Sequence, residues 1–136
     1  MRATALLCDH VEVADGKLFI NGGGWDQIPA GGLPTGLALL VHVPWDETNQ
    51  KKNLVVELID EDGSPVLQQG PAGGEPVRLE IGFEVGRPPG TSRGSEFVMP
   101  LAMNFPPLLL AQNSSFVWQV QVNGGEVIAR VTFHTR

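Results

Sequence analysis

The sequence predicts an all-β fold: an antiparallel β-sandwich, immunoglobulin-like or C2-like, of seven to nine strands. Three observations predict it. Apolar and polar residues alternate with a period of two over most of the chain, as in strands that bury one face. Glycine and proline (17 and 11 of 136 residues) fall between these runs and punctuate them. No segment carries an apolar stripe at helical spacing.

Taken from the N-terminus, "TALLCDHVEV" and "KLFIN" are strands on either side of Asp15-Gly16, a dipeptide suited to a two-residue hairpin turn. "LALLVHV" (37–43) turns Leu37, Leu39, Val41 and Val43 one way and Leu40 the other. "NLVVELI" (53–59) is rich in Leu, Val and Ile, and Asp62-Gly63 turns it into "SPVL". Between these two strands, "PWDETNQKKN" (44–53) reads as a loop, although its acids would suit the start of one helical turn.

"VRLEIGFEV" (77–85) alternates without a break, with Val77, Leu79, Ile81, Phe83 and Val85 inward. "GRPPGTSRGS" (86–95) is the longest irregular stretch and reads as a surface loop. In "FVMPLAMNF" (97–105), Pro100 cannot donate to a ladder, so the strand is an edge or carries a bulge. "SFVWQVQV" and "EVIARVTFHT" form a hairpin through Asn123–Gly125, with Phe116, Trp118, Val120 and Val122 facing Val127, Ala129, Val131 and Phe133. There is no internal repeat and no boundary, so one domain over 1–136 is expected.

Composition excludes several function classes. A net charge of −6 and only three lysines leave no basic patch for nucleic acid and disfavour anionic lipid. One cysteine, Cys8, cannot form an internal disulfide or a cysteine zinc cluster. The start of the chain does not read as a signal peptide, and no run approaches a membrane span, so a cytoplasmic location is expected.

Candidate sites follow from individual stretches. "FINGGGWDQI" resembles a phosphate loop at first sight, but no lysine and no helix follow Gly24. The three glycines instead suggest a bulge or a close approach of two backbones. Trp25 with Asp26, and Trp45 with Asp46 and Glu47, are the binding candidates, forming one patch if both tryptophans end strands at the same pole. The acids of "DEDG" (60–63) raise an alternative, a calcium-dependent module, although their spacing is not that of an EF-hand. Cys8 and His10 share a parity and so a strand face, but two such residues make no metal site, and none is assigned.

Ser64, Ser92, Ser95, Ser114 and Ser115 fall in turns without a nucleophile elbow, so no catalytic residue is assigned. An enzyme with an unrecognised carboxylate site stays as a further alternative. Apolar residues on nominally outer positions, namely Leu40, Leu108–Leu110, Val117 and Ile128, suggest contact with another chain or cover over a second face. The expected function is therefore a non-catalytic protein-interaction or ligand-binding module, self-associating or bound to a protein partner, with no cofactor.

The series "GKLFINGGGWDQI", "VPWDE", "DEDGSPV", "FEVGRPPG" and "SFVWQVQVNGG", in that order, resembles a family of small single-domain bacterial proteins with no established activity. The resemblance spans nearly the whole chain. It implies a bacterial, stand-alone β domain and transfers no catalytic or ligand residue.

Overall fold

A computed structural model describes residues 1–136. The chain makes twelve strands and one short turn of 3-10 helix, Trp45–Glu47. Eight strands build the two main sheets, within the expected range. One is three-stranded, in the order β1-β5-β10: β1 (Arg2–Cys8), β5 (Thr35–Pro44) and β10 (Glu96–Phe105). The other is five-stranded, in the order β4-β12-β11-β6-β9: β4 (Gln27–Ile28), β12 (Glu126–Thr135), β11 (Ser115–Val122), β6 (Lys51–Asp60) and β9 (Arg78–Glu84). Every pairing is antiparallel except the two-residue contact of β4 with β12. No helix is long and apolar enough to cross a membrane.

The two sheets enclose one main core. Leu37, Leu39, Val41 and Val43 of β5 face Leu54, Val56 and Leu58 of β6 and Phe116, Trp118, Val120 and Val122 of β11. For β5 and β11 these are the inward positions that alternation predicts. The Phe105 and Trp118 rings stack at 4.5 Å with a 22° interplanar angle, and Phe116 sits 5.6 Å from Phe133. Pro100 lies on β10, which pairs only with β5, so its missing N–H falls on a sheet edge.

Two small hairpins complete the fold. β7 (Leu67–Gly70) pairs with β8 (Gly73–Pro76). β2 (His10–Ala14) pairs with β3 (Lys17–Asn21) through Asp15 and Gly16, at φ 53° and 67°, the left-handed values that the turn requires. The β2–β3 hairpin lies across the outer face of the three-stranded sheet. Cys8, Val11 and Ala38, with Leu18 and Ala102 against them, form a second, smaller core beneath it. The Asn104 amide accepts from Val11 N at 3.0 Å and donates to Val11 O at 2.8 Å, standing in for a ladder partner.

Several expectations need correction. "TALLCDHVEV" is not one strand: it breaks at Asp9, where the chain leaves the sheet to climb over it. The Cys8 and His10 side chains therefore part, Cys8 buried and His10 exposed. "PWDETNQKKN" is not wholly a loop, since it holds the 3-10 turn and the start of β6. Leu79, expected inward, is 41% exposed, because β9 is the edge of the wider sheet and the three-stranded sheet does not reach over it. Ile128, expected outward, packs against the core, and Val127, expected inward, lies opposite Gln121 on the outer face, because the β11–β12 register shifts between Val120 and Gln121.

Candidate functional site

The three glycines lie against β1, as close approach predicts. Gly24 N donates to Leu7 O at 2.7 Å, and Asp9 N donates to Asn21 O and Gly22 O. A side chain at Gly22 would overlap the Asp9 carboxylate, and its φ is 60°. A methyl at Gly23 would stand 2.9 Å from Ile20 and 3.1 Å from Leu6. The stretch is a crossing of two backbones, and no helix follows it.

The two tryptophans do not share a patch. Trp25 lies beside Thr35 at the start of β5 and meets Phe133 edge-on at 6.0 Å. Trp45 follows Pro44 at the other end of the same ten-residue strand, roughly 30 Å away. Asp26 is exposed near Trp25, and its main-chain oxygen accepts from His134 N.

Around Trp45 the side chains are engaged internally. The Arg87 guanidinium covers the ring, 3.5 Å from its centre, and donates to Thr48 Oγ1 and Trp45 O. Glu47 accepts from the Met1 ammonium at 3.0 Å and from Lys52 Nζ at 3.1 Å. Those two bonds, from the ammonium first, hold its carboxyl below the usual range. Asp46 is exposed beside Arg93 in a shallow depression. The geometry is that of a clamp tying the 86–95 loop to the 3-10 turn.

The acidic loop is also internally bonded. Asp60 Oδ1 accepts from Asp62 N and Ser64 N, and Glu61 accepts from Ser115 N at 2.7 Å. No three acid, histidine or cysteine side chains cluster as a cation site. Beside them runs a cleft of about 440 Å³, walled by Val66, Leu67, Leu109 and Phe116. At its edge Ser115, which begins β11 and is not in a turn, places its hydroxyl 2.7 Å from His134 Nδ1. The two residues face each other directly across the β11–β12 ladder. Glu61 bonds the Ser115 amide, and no carboxylate bonds the imidazole.

A contrast that alternation did not reveal is the one between the two outer faces. The five-stranded sheet turns outward Arg130 on Gln119 and Arg78 between Glu57 and Glu80, with Val55, Ile59, Val117 and Val127 buried or half-buried among them. The three-stranded sheet turns outward Leu6, Leu40, Val98 and Pro100, with Val98 54% exposed. Phe19, 53% exposed, tops the hairpin beside them. Near the far end of this face Arg2 donates to Glu96 at 2.9 Å, which holds the Glu96 carboxyl below its usual range, while His42 Nδ1 lies 3.3 Å from the same oxygen. The signal available in sequence was Leu40, but its neighbours across the sheet could not be read without the strand order.

No curated protein and no solved structure matches the chain. A family model matches residues 3–136, and the chain belongs to DUF6941, a family of unknown function.

Proposed function

We propose that this protein is a non-catalytic interaction module that associates with a second copy of itself through the outer face of its three-stranded sheet. The observation that carries this reading is the exposure of apolar side chains on that face, with Val98 54% and the hairpin's Phe19 53% exposed, while the aliphatic residues of the other outer face, Val55, Ile59, Val117 and Val127, are buried or half-buried among charged and amide side chains. Contiguous exposed apolar surface favours contact with protein. Charge supports the same partner. The chain carries −6 overall, and on this sheet face the acid Glu96 is paired with Arg2, which reduces the repulsion a second copy would meet there.

A non-catalytic role agrees with the bonds described above. Glu47, Asp60 and Glu61 hold loops together, and the Ser115–His134 pair has no orienting acid. Light scattering after size exclusion tests the reading. The mass should rise toward twice that of the chain as concentration increases over about a hundredfold range. A constant monomer mass at the highest concentration refutes it.

A further inference from the structure

The outer edge of β9 is long and open. At the edge of the three-stranded sheet, β10 carries Pro100, which has no N–H to offer, and on β1 Leu7 O already accepts from Gly24 N. At one end of the wider sheet β4 is only two residues long. At its other end β9 runs for seven residues, Arg78–Glu84, without a proline, paired with β6 on one side and with no strand on the other. Sheet edges of this kind are templates for another strand unless something blunts them.

The ladder fixes which groups the edge presents. Val77 O accepts from Leu58 N and Val85 O accepts from Asn49 N, so the odd-numbered residues turn their main-chain groups toward β6 and the even-numbered ones turn theirs away. The N–H and C=O of Arg78, Glu80, Gly82 and Glu84 therefore line the open edge, and no turn or loop of the chain bonds them. On the inner side of the same strand Leu79 is exposed and Ile81 and Phe83 are half-buried, because the three-stranded sheet stops short of them.

We infer that β9 of a second copy pairs antiparallel with this edge, about a two-fold axis normal to the sheet that passes between the two Ile81 residues. The copies lie side by side, their β9 strands about 4.8 Å apart, and one sheet runs through both. This contact is on the other sheet from the association proposed above and does not rest on it.

Charge and hydrogen bonding select the occupant and its register. With Ile81 on the axis, all seven residues of β9 pair. Arg78 stands opposite Glu84 of the second copy, and Glu80 stands opposite Gly82, where there is no side chain. These even-numbered pairs are the ones whose main-chain groups face the open edge, so each exchanges both N–H···O bonds. Moving the axis to Glu80 sets that acid against its own copy, and moving it to Gly82 sets Glu80 against Glu84; directly opposed like charges are unfavourable. Within one chain Arg78 bonds Glu80 at 2.7 Å, and the remaining donors of its guanidinium are available to Glu84 of the second copy. On the inner side Ile81 meets Ile81 and Leu79 meets Phe83 as non-hydrogen-bonded pairs, the closer kind, which covers the side chains left open in the single chain.

The test uses the full chain. Across a non-hydrogen-bonded pair the two Cα atoms at position 81 lie about 4.5 Å apart, within the span of a disulfide. Ile81→Cys with oxidised glutathione should give a covalent dimer: two thiols lose two protons and two electrons, and the oxidant leaves as two reduced molecules. Leu79→Cys, at a more exposed site but opposite Phe83, should not crosslink; Cys8 is buried and does not compete. Separately, Arg78→Glu should raise the dissociation constant of this contact roughly threefold to tenfold at low salt, since two ion pairs are lost per dimer. Adding Glu84→Arg to it should restore the parent value, because the pair is rebuilt with its signs exchanged. Circular dichroism of each variant, unchanged from the parent, establishes that the fold is intact.

Crosslinking at 81 and not at 79, with rescue by the charge exchange, supports the edge pairing. No crosslink at 81, or equal crosslinking at both positions, overturns it, as does a double charge variant no tighter than Arg78→Glu. Val98→Arg separates this contact from the outer face. Association that Val98→Arg abolishes while Ile81→Cys gives no crosslink leaves only the outer face standing. A crosslink at 81 with association unmoved by Val98→Arg supports the edge and overturns the outer-face reading.

Discussion

Arg87 and Trp45, forty-two residues apart, are joined face to face, the guanidinium 3.5 Å from the ring centre and its N–H groups on Thr48 and on the Trp45 carbonyl. The pair closes one pole of the sandwich, because Thr48 is buried and its hydroxyl accepts two of the three bonds. Arg87→Ala removes the cover and the bonds that Arg87 gives, while the Trp45 carbonyl keeps those from Thr48 N and Oγ1. We expect it to lower stability by about 1–3 kcal/mol. Arg87→Lys should recover only part of this, since an ammonium cannot reach both acceptors while lying flat on the ring. Urea midpoints at constant slope measure both.

At the opposite pole Phe105 stacks on Trp118 in the main core. Trp118→Ala should cost about 3–5 kcal/mol, from lost burial and the cavity left behind. Trp25→Ala, at a half-buried site, should cost less than half as much. Equal losses in thermal melting would contradict the different burial of the two rings.

Glu47 makes stability depend on pH. Its folded-state carboxyl is held low by the Met1 ammonium and by Lys52, so its contribution is complete above the unfolded value, about 4.3, and fades as pH falls through the lower folded value. Glu47→Gln should therefore melt below the parent at neutral pH, with the gap closing at acid pH. A gap that widens on acidification would mean that the carboxylate is not the stabilising form.

Gly36 lets the hairpin lie down. A methyl there would stand 2.9 Å from Cys8 Sγ and 3.0 Å from Asn104 Oδ1, the atom that accepts from Val11 N. Gly36→Ala should loosen the hairpin at a cost of about 1–3 kcal/mol. Faster hydrogen exchange at the Val11 amide, with the core strands unchanged, is the expected signature.

The acidic loop should not respond to calcium. One Asp60 oxygen is occupied by the loop's own amides, and no three acids converge. Adding calcium, then chelator, should leave the melting midpoint within about 1 °C. A reproducible rise in calcium would restore a cation site at residues 60–62.

Much of the fold was legible because alternation is a local property. β5, β6 and β11 each have a partner strand on both edges and the opposite sheet over their inner face, so Leu37, Trp118 and their neighbours are buried where period two puts them. The reading weakened where burial depends on what lies across the gap. Leu79 sits on an uncovered edge, and Ile128 was turned by a bulge whose partner residue is on another strand. Of the candidate site, the glycine crossing was legible because Gly22 to Gly24 have no side chains to accommodate. The fate of Trp45 was not, since Arg87 reaches it only through the loop that folds back from β9.

From the amino-acid order alone came the β class, the turns at Asp15-Gly16 and Asn123–Gly125, and the central inward residues, because each depends on side-chain period and backbone freedom within a few positions. The tertiary structure decided which edges are uncovered, which pole each tryptophan occupies, and which outer face leaves its apolar side chains exposed. Those properties arise from strand order and from a hairpin laid across a sheet, and residues such as Leu40 and Pro100, or His42 and Val98, become neighbours only when distant segments pair.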